Sequence, residues 1–162
     1  MTDSSKQAQQ KLKQAVDYIR TKTDLKPVAG IILGSGLGSF ADTLQNKIKI
    51  PTSEIPHYPR STVEGHKGYL VFGTHADIPI LAVQGRTHYY EGYAMKDVTF
   101  VVRIMQMLGI RHMMVTNAAG GINPYFVPGD LMLITDQVNF MFDNPLIGPL
   151  DYGEPRFPDM SD

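Results

Sequence analysis

Apolar residues fall along this chain first at helical and then at strand spacing. Leu12, Ala15, Val16 and Ile19 recur at i, i+3, i+4 and i+7, which predicts an amphipathic helix over about residues 8–21 behind a polar tail of residues 1–7. Residues 28–33 form a short run rich in β-branched side chains that ends in Gly34-Ser35-Gly36-Leu37-Gly38, the order of strand, tight turn and helix start. Residues 70–72 and 78–83, separated by GTHAD, predict the two strands of a hairpin. In MKDVTFVVRIMQMLG the helical spacing returns at Val98, Val101, Val102, Met105 and Leu108, and Gly109 is placed to end that helix. Residues 113–116 and 130–138 predict two more strands. Strands alternating with helices and Gly-bearing turns imply an α/β fold, a mixed and largely buried β-sheet flanked by helices, in one domain over residues 1–162. The last stretch carries Pro145, Pro149, Pro155 and Pro158, each of which opposes a regular helix or central strand. So long an irregular ending predicts a fold that is incomplete at its C-terminus.

Composition narrows the chemistry. At 162 residues with 43% hydrophobic and 19% charged residues, the chain can bury a core of its own. Lys and Arg total 15 against 16 Asp and Glu, so no strongly basic field draws it to nucleic acid or to an anionic membrane, and neither is expected as a partner. Any anion must be captured locally. With no cysteine there is no disulfide framework, thiolate metal site or cysteine nucleophile, and the five histidines fall in no metal-ligand pattern. The polar start MTDSSKQAQQ lacks the apolar stretch of a signal peptide, so a cytoplasmic location is the expectation.

Three clusters could carry chemistry. Small residues in GSGLG let backbone approach an anion, with N–H groups and a helix start pointing at it and Ser35 adding a hydroxyl. It fits a dinucleotide fingerprint poorly and has no Gly-Lys-Ser/Thr, so it is no Walker loop; such turns also serve as plain tight connections. The second cluster, QGRTHYYEGY, lies directly beyond an apolar strand. Arg86 offers a planar fork for phosphate and His88 can trade a proton near neutral pH, the two sharing a side if the chain stays extended. Tyr90 offers a flat face with a polar tip, equally suited to a sugar or to the core. The third is Thr116-Asn117-Ala118-Ala119-Gly120-Gly121, where small residues past a strand leave room for a ligand. Between the first two, EIPHYPRSTVEGHKGYL could act as a mobile flap with His66 near its end.

Taken in order, GSGLG, STVEGHKGYLVFG, GRTHYYEGY, TNAAGGINP, GDLMLITD, NPLIGP and RFPDMSD resemble the purine nucleoside phosphorylases of the trimeric type, over residues 28–162. The resemblance implies use of inorganic phosphate to split the N-glycosidic bond of purine ribo- or deoxyribonucleosides, giving free base and sugar 1-phosphate, with phosphate as co-substrate and no other cofactor or metal. It assigns catalysis to Arg86 and His88, phosphate binding to Ser35, His66, Arg86, His88 and Ala118, and nucleoside binding to Tyr90, Ala118, Ala119 and Gly120. Phe157 would enter the site of a neighbouring subunit in a homotrimer. The purine-holding glutamate and asparagine of the family and a further phosphate-binding serine belong to a C-terminal part with no counterpart here. Gln137 stands where relatives often have His, and Thr87 and Tyr89 where they often carry bulky residues such as Phe or Met, positions expected to point away from the ligand. Two other readings stay open, a methylthioadenosine phosphorylase and a non-catalytic fragment that keeps anion binding and subunit association.

Overall fold

The computed structural model describes residues 3–60 and 68–159. Helix α1 (Asp3–Lys22) buries Leu12, Ala15, Val16 and Ile19, the stripe that the spacing marks. It begins earlier than that stripe implies, so residues 3–7 belong to the helix and not to a polar tail. Asp3 in the first turn complements the positive end of the helix dipole. The Ser5 hydroxyl is buried and donates to Leu150 O at 3.2 Å, a tertiary contact that hydrophobic spacing does not register.

Five strands form one mixed sheet in the order β2-β3-β4-β1-β5. β1 (Ala29–Leu33) lies parallel to both β4 (Ile78–Gln84) and β5 (His112–Val115), while β2 (Gln45–Pro51), β3 (Tyr69–His75) and β4 form an antiparallel meander. The β3–β4 turn carries positive φ at both Ala76 (45°) and Asp77 (63°), the backbone that matches the twist of a two-residue hairpin loop. β2 is absent from the strands that the sequence predicts. Its KIKI alternation is the missed signal: as an edge strand it buries only Ile50 fully and exposes Lys47 and Lys49, so its apolar content is low.

Alternation across the pleat sorts the core into two layers. Ile32, Leu70, Phe72, Leu81 and Val83 meet α1 and α3 (Phe100–Met107) on one face. On the other, Leu33, Val71, Ile80 and Ala82 pack on Ala41 and Leu44 of a 3-10 segment, Gly38–Thr43, and the residue after it. The single helix expected from MKDVTFVVRIMQMLG is two, α2 (Met95–Val98) and α3. Thr99 divides them because its hydroxyl donates back to Met95 O at 2.9 Å, a bond that bends helices. Gly109, at φ 85°, ends α3 as expected, with its N–H on Gln106 O and that of Ile110 on Met105 O.

Residues 130–138, expected as a strand, have no regular structure and are exposed. High strand propensity does not hold a strand without a neighbour to complete its ladder, and among the described residues none pairs with this segment. No helix among the described residues is long and apolar enough to cross a membrane.

Candidate anion-binding site at the ends of three parallel strands

The register brings three chain segments to one edge of the sheet. Leu33 pairs with Gln84 and Ile32 with Val115, so β4, β1 and β5 end side by side and all point the same way. Beyond these ends lie the Ser35 turn, the Arg86–Tyr90 segment and the TNAAGG segment, which are the three sequence clusters. The C-terminal edge of parallel strands is where open α/β sheets hold ligands.

Specific bonds tie the three segments together. Half-buried Arg86 reaches across the end of β1 and donates from Nη1 to Thr116 O at 2.8 Å. The Thr116 hydroxyl accepts from the Gly34 N–H at 2.8 Å and donates to Ile32 O at 3.1 Å. Gln84 Nε2 donates to Gly38 O at 2.9 Å, fixing the turn to the end of β4. Gly34 is required by space: a Cβ there would stand 2.5 Å from Thr116 O. Within the turn Gly36 takes φ 85°, and Ser35 beside it is exposed.

Thr87 is buried and donates a long 3.5 Å bond to Pro59 O, which leaves Arg86 and His88 on the other side of the alternation. The His88 N–H donates to Glu91 Oε1 at 2.6 Å, and its ring stacks on Tyr90 with centroids 4.8 Å apart and planes 14° from parallel. Tyr90 is otherwise open to solvent, 75% exposed, so it stands at the rim and not in the core. Tyr89 turns away toward Asp143, whose hydrogen bond and charge raise the phenol above its ordinary value. Both belong to an open cleft of about 620 Å³ whose lining includes none of Ser35, Arg86 or Ala118.

Ala118, Ala119 and Gly120 are exposed in an irregular stretch past β5. Phe157 is 89% exposed and lies beyond a pinned segment in which Lys96 pairs with Asp151 at 2.6 Å and Arg103 with Glu154 at 3.2 Å. His66, with residues 61–67 of the expected flap, lies outside the described residues. Among the described residues no group of three or more His, Cys, Asp or Glu could hold a metal ion. Gly34, Gln84 and Thr116 fall inside the three sequence clusters, but sequence reasoning gave none of them a role in joining this edge, because each acts through contacts between segments distant in sequence.

The family model described as the phosphorylase superfamily matches residues 28–162. The chain belongs to that superfamily. It is 52% identical over 153 residues to purine nucleoside phosphorylase 1 of Bacillus subtilis, covering 93% of this chain and 56% of the relative. Its fold matches a crystal structure of isoform 2 of the Schistosoma mansoni purine nucleoside phosphorylase in complex with cytosine and ribose-1-phosphate, with a TM-score of 0.85 and 42% identity over 93% of this chain and 54% of that one. A Schistosoma mansoni purine nucleoside phosphorylase in complex with inosine gives a TM-score of 0.84 and 38% identity over 93% and 54%. The chain thus spans about half the length of the curated relatives it matches. The mixed sheet flanked by helices, expected from the sequence, is the superfamily's arrangement in this member.

Proposed function

We propose that this chain forms the phosphate-holding part of a purine nucleoside phosphorylase, which cleaves purine ribo- or deoxyribonucleosides with inorganic phosphate to free base and sugar 1-phosphate. The observation that carries the reading is the half-buried Arg86, held by Thr116 O across the shared edge of β4, β1 and β5 in a chain 52% identical to the Bacillus subtilis enzyme. Phosphate lies against Arg86, the Ser35 hydroxyl, His88 and Ala118. Charge-assisted bonds from the Arg fork hold it. One phosphate oxygen bonds to the anomeric carbon as that carbon's bond to the purine nitrogen breaks, and the electron pair leaves with the base, which takes up a proton. Phosphate's negative charge stabilises the oxocarbenium-like sugar, and its fixed position converts an encounter into a directed attack. His88 offers a ring N–H to a phosphate oxygen. Tyr90 packs on the ribose, and Ala118, Ala119 and Gly120 border sugar and base.

Phosphate serves as co-substrate, and this chemistry calls on no other cofactor or metal. Phe157 completes a neighbour's site in a homotrimer, which its exposure beyond a pinned segment supports. We place the reaction in the cytoplasm, whose reducing conditions a chain without cysteine tolerates.

The test uses inosine, phosphate and a coupled assay for hypoxanthine, on the 162-residue chain at verified intact mass and on a hybrid continued by the C-terminal portion of the Bacillus subtilis relative. The chain alone should bind phosphate weakly and release no hypoxanthine, since losing even one transition-state donor typically costs a hundred- to a thousandfold in rate, about 2.7–4 kcal/mol. The hybrid should turn over. A folded hybrid that neither binds phosphate nor releases base would refute the reading, and robust turnover by the chain alone would show that the relatives' remaining half is dispensable.

A further inference from the structure

Thr116 makes an unusual number of bonds for a residue just past a strand. Its N–H donates to Ile32 O at 3.0 Å, its hydroxyl donates to the same oxygen at 3.1 Å and accepts from the Gly34 N–H at 2.8 Å, and its carbonyl accepts from Arg86 Nη1 at 2.8 Å. A hydroxyl has one proton, so its roles are fixed: the proton goes to Ile32 O and a lone pair faces Gly34. Polarity then runs one way from the Gly34 N–H through Oγ1 to Ile32 O, an arrangement in which each bond strengthens the next. The carbonyl on the same residue is bounded from behind, since Gly34 approaches so closely that a Cβ there would meet Thr116 O at 2.5 Å. The oxygen that holds Arg86 is therefore located both by hydrogen bonds and by a steric stop.

We propose that Thr116 is a positioning residue for anion binding, setting the Arg86 guanidinium against the Ser35 turn through its carbonyl and locking that carbonyl through its hydroxyl. The inference rests on the reading of this edge as a phosphate pocket. A guanidinium carries five N–H donors, so one bond to a carbonyl orients the fork and leaves donors for the anion. Without the hydroxyl the Gly34 N–H loses its acceptor, the turn and the end of β5 are uncoupled, and Arg86 follows the displaced carbonyl.

The experiment titrates inorganic phosphate into the 162-residue chain and its Thr116→Val, Thr116→Ala and Thr116→Ser variants, at a temperature where each gives the amide spectrum of the folded chain. Valine keeps the shape without the hydroxyl, alanine leaves space beside the Gly34 N–H, and serine keeps the hydroxyl without the methyl. Val and Ala should each weaken phosphate binding about tenfold or more, the order of one well-made hydrogen bond, while Ser stays within about threefold. A residue that mattered only for stability would lower the melting temperature in all three without separating Ser from the others in affinity. Wild-type affinity in folded Thr116→Val or Thr116→Ala, or a tenfold loss in Thr116→Ser, overturns the positioning role and leaves the pocket standing. Phosphate binding by the unaltered chain no tighter than by Arg86→Ala removes the pocket and this inference with it.

Discussion

Residues 3–115 and 116–159 have comparably apolar stretches and opposite fates. In the first region Leu70, Phe72, Leu81 and Ile104 are shut from solvent between sheet and helices. In the second, Ile122, Leu131, Leu133 and Phe142 stand open, with no helix or strand among the described residues. The difference lies in neighbours. β3 and β4 bury their side chains because each has a strand on both sides and a layer above and below, whereas LMLITD has strand-like composition and nothing to pair with. Within the second region the exception is instructive: residues 150–154 are held, through Ser5 and Gln9 on Leu150 O and Asp151 O, Lys96 on Asp151 and Arg103 on both Glu154 and the Tyr152 ring. Polar contacts to an already formed scaffold fix a segment that its own apolar residues do not.

The largest effect expected from this contrast is on global stability. Phe72→Ala should destabilise by about 3–5 kcal/mol through lost burial and a residual cavity, whereas Phe142→Ala, at a side chain 90% exposed, should stay within about 0.5 kcal/mol. Denaturant midpoints of the two variants at unchanged slope decide it; a costly Phe142 would mean that the second region is packed after all.

Next in size is Arg86→Ala, which removes a side chain of the first region that reaches Thr116 O in the second. Phosphate affinity should fall roughly ten- to a hundredfold, about 1.5–3 kcal/mol, with little change in melting temperature. Calorimetric titration at fixed ionic strength is the measurement, and an unchanged affinity would take Arg86 out of the pocket.

A smaller effect is expected at the held segment. The Asp151 side chain is 8% exposed and has one carboxylate oxygen without a hydrogen-bond partner, so Lys96→Met would leave a buried charge unmatched. With Lys96 itself 39% exposed, solvent screening tempers the penalty to about 1–2 kcal/mol. The readout is tryptic cleavage after Arg156, which should quicken in Lys96→Met; equal rates would show that the clasp does not govern the Phe157 tip.

The smallest belongs to the packed region's surface. Lys49 lowers the Asp42 carboxyl below its ordinary value, first through their hydrogen bond and then through its charge. A lowered folded value means a contribution present above the ordinary aspartate range and lost as pH falls through the folded one. In Lys49→Met the Asp42 titration, followed by NMR, should return to the ordinary range without a resolvable change in unfolding midpoint. A full-sized midpoint shift would contradict the view that burial separates the two regions.

What the sequence made legible follows the same line. The α1 stripe, β1, the β3–β4 hairpin and the Gly109 stop are local patterns, and each is found within a few residues of its expected place. Ser35, Arg86 and TNAAGG reach one edge because each directly follows an apolar strand, a rule readable in one dimension. Less legible was whatever depends on a partner far along the chain or on a side-chain bond that hydrophobic spacing does not register. Ser5 extends a helix through Leu150, Thr99 divides one through its own hydroxyl, and β2 hides its strand character at a charged edge. Thr116 is plain in sequence and prominent only in three dimensions, where its bonds reach Ile32, Gly34 and Arg86.

The strand order also has a temporal side. β1 is central in the sheet, yet both its neighbours are made after it: Leu33 is synthesised about fifty residues ahead of its partner Gln84. At the usual 5–20 residues per second of translation, AGIIL waits roughly 2–10 s with both edges open. The hairpin of β3 and β4 closes through a two-residue turn, so it can assemble first and offer β4 as a template that β1 joins before β5 seals the other side. Pulse-labelled hydrogen exchange during refolding should accordingly protect the β3–β4 amides ahead of those in β1, and the reverse order would mean that β1 nucleates the sheet. The strand that carries the Ser35 turn is thus the last but one to be framed, and the edge it shares with Arg86 and Thr116 comes into being only when the sheet is nearly complete.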